Sequence, residues 1–477
     1  MKTTFSGGKK EVMEFMDKLA EKRDKYIKRN KYYYKDLIKF LKYNIPEGSS
    51  VLEIGCGTGY ILNHLKPSKG VGIDISPKMI EVAKTKYNHL TFIQADAESI
   101  SLNETYDFII ISDTLGYFED IQQSFSELRK VSHPGTRIII TYHNYLWQIL
   151  LRIAELLRLK TPQVRLNWLN KNDIKNLLVL EGFDIIKTGS RFIFPKFFPL
   201  LSWFFNKYVS QLPFFRYFCL TEYIIARPFV LHPRDNESFS VSVIIPARNE
   251  KGNIENAVKR MQKMGNHTEI IFVEGHSQDG TLDEIKRVAE KYSDRLDIKY
   301  YTQDGKGKGD AVRKGFANAI GDILMILDAD LTVPPEYLSK FYNAIAAGSG
   351  EYINGSRLVY PMGKAAMKTL NIIGNKFFSM MLSWILGQPI KDTLCGTKVL
   401  FKKDWEKILK NREYFGDFDP FGDFDIIFGA SKLNLKFVEI PIRYKGRQYG
   451  ETQISRFRHG WLLLKMTMFA ARKIKFY

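Results

Sequence analysis

Two apolar strands in this chain each run directly into a turn of the kind that closes a parallel strand onto a helix: Val51 to Gly59 reads VLEIGCGTG, and Val241 to Glu250 reads VSVIIPARNE. A buried strand, a glycine-rich or polar turn and a helix together open a crevice at the strand's carboxyl end. The 477 residues exceed one ordinary core and lead to two or three domains, a count that two such signals fit. The fold class is α/β, a Rossmann-like sheet followed by a second nucleotide-binding sheet. The apolar content of 45% with 26% charged residues excludes wholesale disorder and a polytopic membrane protein. The pattern divides the chain into a helical cap over 1–48, a first domain over 49–231 with an aromatic insertion at 195–220, a linker at 232–240 and a second domain over 241–477.

Three cysteines, Cys56, Cys219 and Cys395, stand far apart without metal-ligand spacing, which suits a reducing compartment. The start, MKTTFSGGKKEVMEF, has no apolar stretch after its basic residues and predicts no secretory signal. The formal charge of +19 asks for an anionic partner. That excess is local: from Pro441 to Tyr477 nine Lys or Arg face one acid, Glu451. These features predict a cytoplasmic protein, peripheral on the inner face of an anionic membrane.

In the first domain, glycines at 55, 57 and 59 let a ligand approach the backbone at a helix N-terminus. The spacing is E-x-G-x-G-x-G rather than the dinucleotide G-x-G-x-x-G, and Asp74 closes a second strand, VGIDIS. A third strand, LTFIQADAES, brings Asp96 and Ala97 to the same edge, and a fourth, YDFIIISDTLGY, ends at Asp113. Together these features resemble class I S-adenosylmethionine-dependent methyltransferases over about Ser49 to Pro228. The resemblance implies S-adenosyl-L-methionine as cofactor. It also implies Glu53 near the cofactor's amino acid, Gly55, Gly57 and Gly59 beneath it, Asp74 on ribose, Asp96 and Ala97 at adenine, and Asp113 beside the methionine portion. SDTLGY replaces the Asn/Asp-Pro-Pro-aromatic motif of base methylation, so a nucleobase acceptor loses support.

Two insertions depart from the minimal pattern: YLWQILLRIAELLRL after the fifth strand, and IFPKFFPLLSWFFNKYVSQLPFFRYFCL between the last two. Both emerge at the carboxyl edge and are expected to line the acceptor entrance. In the second, Lys196, Lys207 and Arg216 limit the longest uncharged run to ten residues, too short for a bilayer span of roughly 20. An interfacial segment and a core packed against a neighbour both remain open for it.

In the second domain, VSVIIP leads to Pro246, Ala247, Arg248 and Glu250 on a turn, and EIIFVEGHSQDGT ends at Glu274. DGKGKGDAVRKGF then sets glycines around Lys306 and Lys308, suited to backbone and cation contacts with a diphosphate. GDILMILDADLTVP places Asp328 and Asp330 just past an apolar strand, where alternate carboxylates can hold a hard divalent cation, Mg or Mn. In this order the motifs resemble family 2 glycosyltransferases of the GT-A fold, within them the dolichol-phosphate mannosyltransferase group. The resemblance implies that Arg357 of INGSR grips an acceptor phosphate and Arg447 of RYKGRQYGET the nucleotide diphosphate. Two positions depart from the family: Cys395 precedes Gly396 where the pattern has serine, and Glu274-Gly275 replaces an Asp pair. In GDFDPFGDFDII, Asp423 or Asp425 is the candidate general base for a hydroxyl acceptor, whereas an acceptor phosphate needs none.

Met362 to Pro389 and Ile454 to Phe476 read as amphipathic, lysine-bearing helices that either meet lipid or dock on the sheet. The expectation is a bifunctional enzyme. One unit transfers sugar from a nucleotide-diphosphate sugar to a lipid-linked acceptor, polyprenyl phosphate foremost. The other methylates a substrate of the same pathway. The alternatives are a soluble polysaccharide-extending enzyme with a methyltransferase, and a basic RNA-binding methyltransferase. The last gives the sugar-transferase motifs no role, so no nucleic-acid partner is expected.

Overall fold

A computed structural model describes residues 7–157, 160, 164, 167–229, 239–360, 369–414, 422, 424–443, 449 and 456–477. The candidates Asp423 and Arg447 lie outside the described residues, as do Asp417, Asp419, Gly450, Thr452, Lys364, Lys368 and most of the linker. The chain divides into two compact units, in the main residues 1–230 and 231–475.

Unit 1 is a seven-stranded sheet of β1 (Ser50–Ile54), β2 (Lys69–Asp74), β3 (Thr91–Gln94), β4 (Tyr106–Ser112), β5 (Ser132–His143), β6 (Phe183–Arg191) and β7 (Thr221–Pro228). The order is β3-β2-β1-β4-β5-β7-β6. Strands β3 to β5 pair in parallel, and β7 runs antiparallel between β5 and β6. The near-continuous apolar runs of β1, β4 and β5 follow from burial on both faces. Leu52, Ile109 and Ile138 on one face join Ile174 and Leu178 in a single core. The helices are α1 (Gly7–Arg29), α2 (Lys31–Asn44), α3 (Tyr60–Leu65), α4 (Pro77–Lys86), α5 (Ile121–Lys130), α6 (Gln148–Leu156), α7 (Lys171–Leu180) and α8 (Leu201–Lys207). The first insertion supplies α6 and the second α8. Strand order reverses between β1 and β4, which opens a crevice at their carboxyl ends. Helix α1 packs on α4 through Leu19, Ala20 and Met79 and lies at that edge.

Unit 2 repeats the logic with β8 (Val241–Ala247), β9 (Thr268–Glu274), β10 (Asp297–Thr302), β11 (Ile323–Ile326), β12 (Tyr352–Ser356), β13 (Lys398–Phe401) and β14 (Phe437–Pro441). The order is β10-β9-β8-β11-β13-β12-β14, with β13 antiparallel to both neighbours and every other pair parallel. Its helices are α9 (Lys251–Lys259), α10 (Thr281–Lys291), α11 (Lys308–Asn318), α12 (Leu338–Ala346), α13 (Thr369–Leu386), α14 (Lys402–Lys410), α15 (Phe424–Lys432) and α16 (Arg456–Ala470). Among the described residues no helix is long and apolar enough to cross a membrane. Helices α13 and α16 each bury one face in the core, through Leu382, Ile385 and Leu386 and through Leu463, Met466 and Ala470. Their other faces leave Phe377, Met380, Trp461 and Met468 exposed.

Helix α11 carries Lys308 and lies directly on β8, because Gly315 leaves no side chain between its backbone and Ile244. Gly315→Val is expected to overpack this contact and destabilise unit 2 by about 1–3 kcal/mol. Chemical denaturation followed by tryptophan fluorescence measures it, and an unchanged midpoint would show that the close approach is dispensable.

Candidate active sites

In unit 1 the turn after β1 holds Gly55, Gly57 and Gly59 at φ +71°, +51° and +75°, a region that side chains rarely enter. A Cβ on Gly55 would strike Thr114 and one on Gly59 would strike Phe92, whereas at Gly57 it would meet almost nothing. Gly55 and Gly57 border a cavity of about 340 Å³, while Gly59 caps the start of α3. Glu53 stands behind the turn rather than on the cavity wall. It is buried, accepts the Leu62 N–H at 3.0 Å, and burial pushes its carboxyl up to about 8.

Asp74 ends β2 on the wall of the cavity. Burial pushes its carboxyl up, opposed by hydrogen bonds from the N–H groups of Ser76 and Gly57, each 2.9 Å. Asp96 and Ala97 follow β3 on the same wall, and Lys9 of α1 pairs with Asp96 at 2.6 Å and with Glu98 at 2.7 Å. Asp113 follows β4 at φ +53°. Its Oδ2 accepts from Tyr33 Oη at 2.6 Å, and its Oδ1 is buried without a hydrogen-bond partner, 3.8 Å from His143 Nδ1. The structure therefore brings Gly55, Gly57, Asp74, Asp96, Ala97 and Asp113 onto one cavity.

Helix α1 helps close that cavity by touching three loops at its edge. Asp24 accepts from Thr58 Oγ1 at 2.9 Å, Asp17 accepts from Ser76 Oγ, and Lys9 holds Asp96. Arg23 points into the space between them. Leu151 and Ala154 from the first insertion and Pro195 and Lys196 from the second add to the wall.

In unit 2 the loops after β8 and β9 hold each other. Gly275 N–H donates to Ala247 O at 2.9 Å beside Pro246, Asn249 N–H to Ser277 Oγ at 2.9 Å, and Glu250 N–H to Thr281 Oγ1 at 3.0 Å. Glu250 and Glu274 are buried in this web, the first accepting from Asn253 Nδ2 and the second from Ser277 N–H. Arg248 and Lys306 project outward and are exposed. It is Lys308, not Lys306, that reaches Asp328, at 2.7 Å. Burial works to raise the Asp328 carboxyl, but Lys308, Lys398 and Arg357 together outweigh it, and the group is held below its ordinary value. Lys398 lies wholly buried on β13 and donates to Cys395 O.

Asp328 packs so tightly on Gly396 that a Cβ there would collide with its carboxylate. Asp330 turns one oxygen to Thr332, accepting from its N–H at 3.1 Å and its hydroxyl at 2.8 Å. Arg357 makes a two-pronged pair with the fully buried Asp392, at 2.7 and 2.8 Å. Its guanidinium thus braces the segment that carries Gly396. Asp425 is engaged by Arg412 at 3.2 Å, with Arg313 at 3.9 Å. Among the described residues no group of three His, Cys, Asp or Glu converges as a metal cage.

Sequence reasoning did not single out Arg23, Tyr33 or His143, which no motif marks. The alternating lysines of GKGKG carry no local signal for which one turns inward.

Comparison with known proteins follows the two units. Residues 26–188 match the family described as methyltransferase domain, and residues 242–409 match glycosyl transferase family 2. The chain is similar to the dolichol-phosphate mannosyltransferase of Pyrococcus furiosus, 28% identical over 253 residues, which cover 50% of this chain and 67% of that protein. It is similar to the Saccharomyces cerevisiae dolichol-phosphate mannosyltransferase, 37% identical over 114 residues, covering 23% and 42%. Malonyl-[acyl-carrier protein] O-methyltransferase of Acetivibrio thermocellus is 30% identical over 126 residues, covering 25% and 44%. The chain spans less than half of the last two. It therefore carries a methyltransferase domain and a family 2 glycosyltransferase domain, on two mixed α/β sheets of seven strands each.

Gly396→Ala is expected to displace Asp328 and weaken calorimetric binding of nucleoside diphosphate with Mn by about tenfold or more; equal affinity would separate Asp328 from that site. For Glu53, the folded value of about 8 lies above the ordinary 4.5, so the folded state keeps a proton that the unfolded chain gives up. That stabilisation is complete below 4.5 and is lost as pH rises through 8. Glu53→Gln should flatten the decline in melting temperature across that window, and an unaltered slope would assign the decline elsewhere.

Proposed function

We propose that this chain, a methyltransferase domain followed by a family 2 glycosyltransferase domain, moves a sugar from a nucleotide-diphosphate sugar to polyprenyl phosphate and methylates a substrate of the same pathway. The observation that carries the reading is Asp328, held ionised at the end of a buried strand against Gly396 and beside the glycine-rich start of α11. A diphosphate needs such a place, with a carboxylate to hold a bridging cation and unobstructed backbone with a lysine to meet the phosphates.

Asp328 and Asp330 fit a divalent cation in donor chemistry, since two carboxylates leave room for phosphate oxygens and water around Mg or Mn. Lys308, paired with Asp328 at 2.7 Å, would share that carboxylate's surroundings with the metal and would offer a cation to the phosphates. Bound metal supplies positive charge that offsets the charge developing on the departing diphosphate. Arg248 and Lys306 are exposed near the same edge and add cations for the donor, and Arg447 is assigned the nucleotide diphosphate by family resemblance. An ionised acceptor phosphate attacks without a base, which agrees with Asp425 being occupied by arginines. Arg357 steadies the acceptor side through Asp392.

In unit 1 the residues fit S-adenosyl-L-methionine. The cavity of about 340 Å³ is of small-molecule size, Asp74 faces it from β2 for a ribose, Ala97 and Asp96 border the adenine end, and the partnerless Asp113 Oδ1 accepts an ammonium. The cofactor, when bound, supplies an electrophilic methyl group, and the chain's task is to align an acceptor with it and exclude water. The basic C-terminal stretch and the exposed apolar faces of α13 and α16 support peripheral attachment to an anionic membrane.

Protein incubated with radiolabelled nucleotide sugars, Mn and polyprenyl phosphate should move label into the organic phase, and Asp328→Asn should cut this by on the order of 10²-fold. Label that stays in water as a growing polymer would favour a polysaccharide-extending enzyme instead.

A further inference from the structure

Leu151 and Ala154 on α6 and Pro195 and Lys196 at the start of the aromatic segment line one side of the unit 1 cavity. Elsewhere these two segments present an apolar surface. Ile149 and Leu156 of α6 are 72% and 83% exposed, and Leu200, Trp203 and Phe214 of the neighbouring segment are 82%, 51% and 67% exposed. A soluble surface seldom leaves so many large apolar side chains side by side.

These side chains are held out by a firm backbone. Asn144 Nδ2 donates to Tyr217 O and Cys219 O at 2.9 and 3.1 Å, and Trp147 Nε1 donates to Phe218 O at 3.0 Å, which ties the two insertions together. Asn206 Oδ1 accepts from Ile193 and Phe194 N–H at 2.8 and 2.9 Å. Beneath, Leu151, Phe192 and Leu220 form a small core. Leu200 sits at φ +61°, a costly conformation for a branched residue whose side chain then stands in solvent.

Along the aromatic segment of this collar the charge has one sign, while α6 adds Arg152 and Glu155, the latter paired with Lys160 at 3.3 Å. No Asp or Glu occurs from Ile185 to Thr221, while Lys196, Lys207 and Arg216 do. Lys207 lies over Trp203 at 5.8 Å and Arg216 over Tyr217 at 5.7 Å. Aromatic rings paired with cations above an apolar surface match the boundary between lipid headgroups and acyl chains. A second copy of this chain fits poorly, because a twofold contact would set these cations against themselves.

At the inner end, His143 Nδ1 is buried without a hydrogen-bond partner. Burial holds the ring's pKa down, with Asp113 opposing and Lys160 reinforcing the effect, so the imidazole is neutral and offers one donor and one acceptor.

We propose that the methyl acceptor of unit 1 is a membrane-held amphiphile: the collar seats on an anionic bilayer, and the acceptor's polar head passes between α6 and the aromatic segment to His143 while its hydrocarbon chain stays outside. This rests on reading unit 1 as a methyltransferase and adds the class of its substrate.

The full-length protein is mixed with vesicles of phosphatidylcholine and phosphatidylglycerol carrying brominated acyl chains. The expected result is quenching with a component that Trp203→Phe removes. Leu156→Glu with Leu200→Glu, neither of which lines the cofactor cavity and both with almost no packing to lose, should lower vesicle binding by about tenfold or more. In a second arm, the histidine NMR signal that His143→Gln removes should shift on adding hexyl glucoside at much lower concentration than on adding glucose. Absence of Trp203-dependent quenching, equal vesicle binding by the double variant, dimerisation that covers the collar, or equal response of His143 to glucose and its hexyl derivative each overturns the proposal. Calorimetry with S-adenosylhomocysteine runs alongside: failure to bind it refutes the methyltransferase reading, and normal binding without vesicle docking refutes only the amphiphile.

Discussion

A carboxylate at the end of a buried parallel strand must meet backbone N–H groups or a cation, and each half of this chain is organised around one. Asp74 meets the N–H groups of Gly57 and Ser76. Asp328 meets Lys308. At Asp328 the nearby cations outweigh burial, whereas at Asp74 the two N–H groups oppose a burial that still raises the carboxyl, and in both places the acid is positioned before any ligand arrives. The glycines follow from this constraint. Gly57 must expose its N–H in a left-handed turn, and Gly396 must leave room for the Asp328 carboxylate.

The two sites differ in how their walls are completed. Unit 1 uses a long amphipathic helix, α1, whose Lys9, Asp17 and Asp24 each touch a different loop at the sheet edge. A helix that holds three loops converts separate strand ends into one enclosed volume. Unit 2 uses loop-to-loop hydrogen bonds and a buried Arg357–Asp392 pair that braces the segment behind Asp328. Losing one partner of such a pair leaves the other charge buried, so its members act as structure first and as ligand contacts second.

Much of the architecture was legible before the coordinates. Runs such as VLEIG, FIIIS and VSVIIP are apolar throughout because both faces of a parallel strand are covered, and their order placed the acids at one edge. The unit 1 cavity was legible where a motif records backbone need, as at Gly55 and Gly57. It was illegible where a residue acts from a distant element: Arg23 and Tyr33 enter the unit 1 cavity from helices whose sequence looks like a charged, tyrosine-rich surface.

The amino-acid sequence by itself determined the two α/β units and the acids that follow their first strands, because apolar period and turn chemistry are local properties. Only the tertiary structure decided that Lys308 rather than Lys306 faces Asp328, that Arg357 is bound to Asp392, and that Glu53 lies behind its turn instead of on the cavity wall. Which side chain meets which is a matter of helix rotation and loop path. Those are set by packing between segments far apart in sequence, which no local pattern encodes.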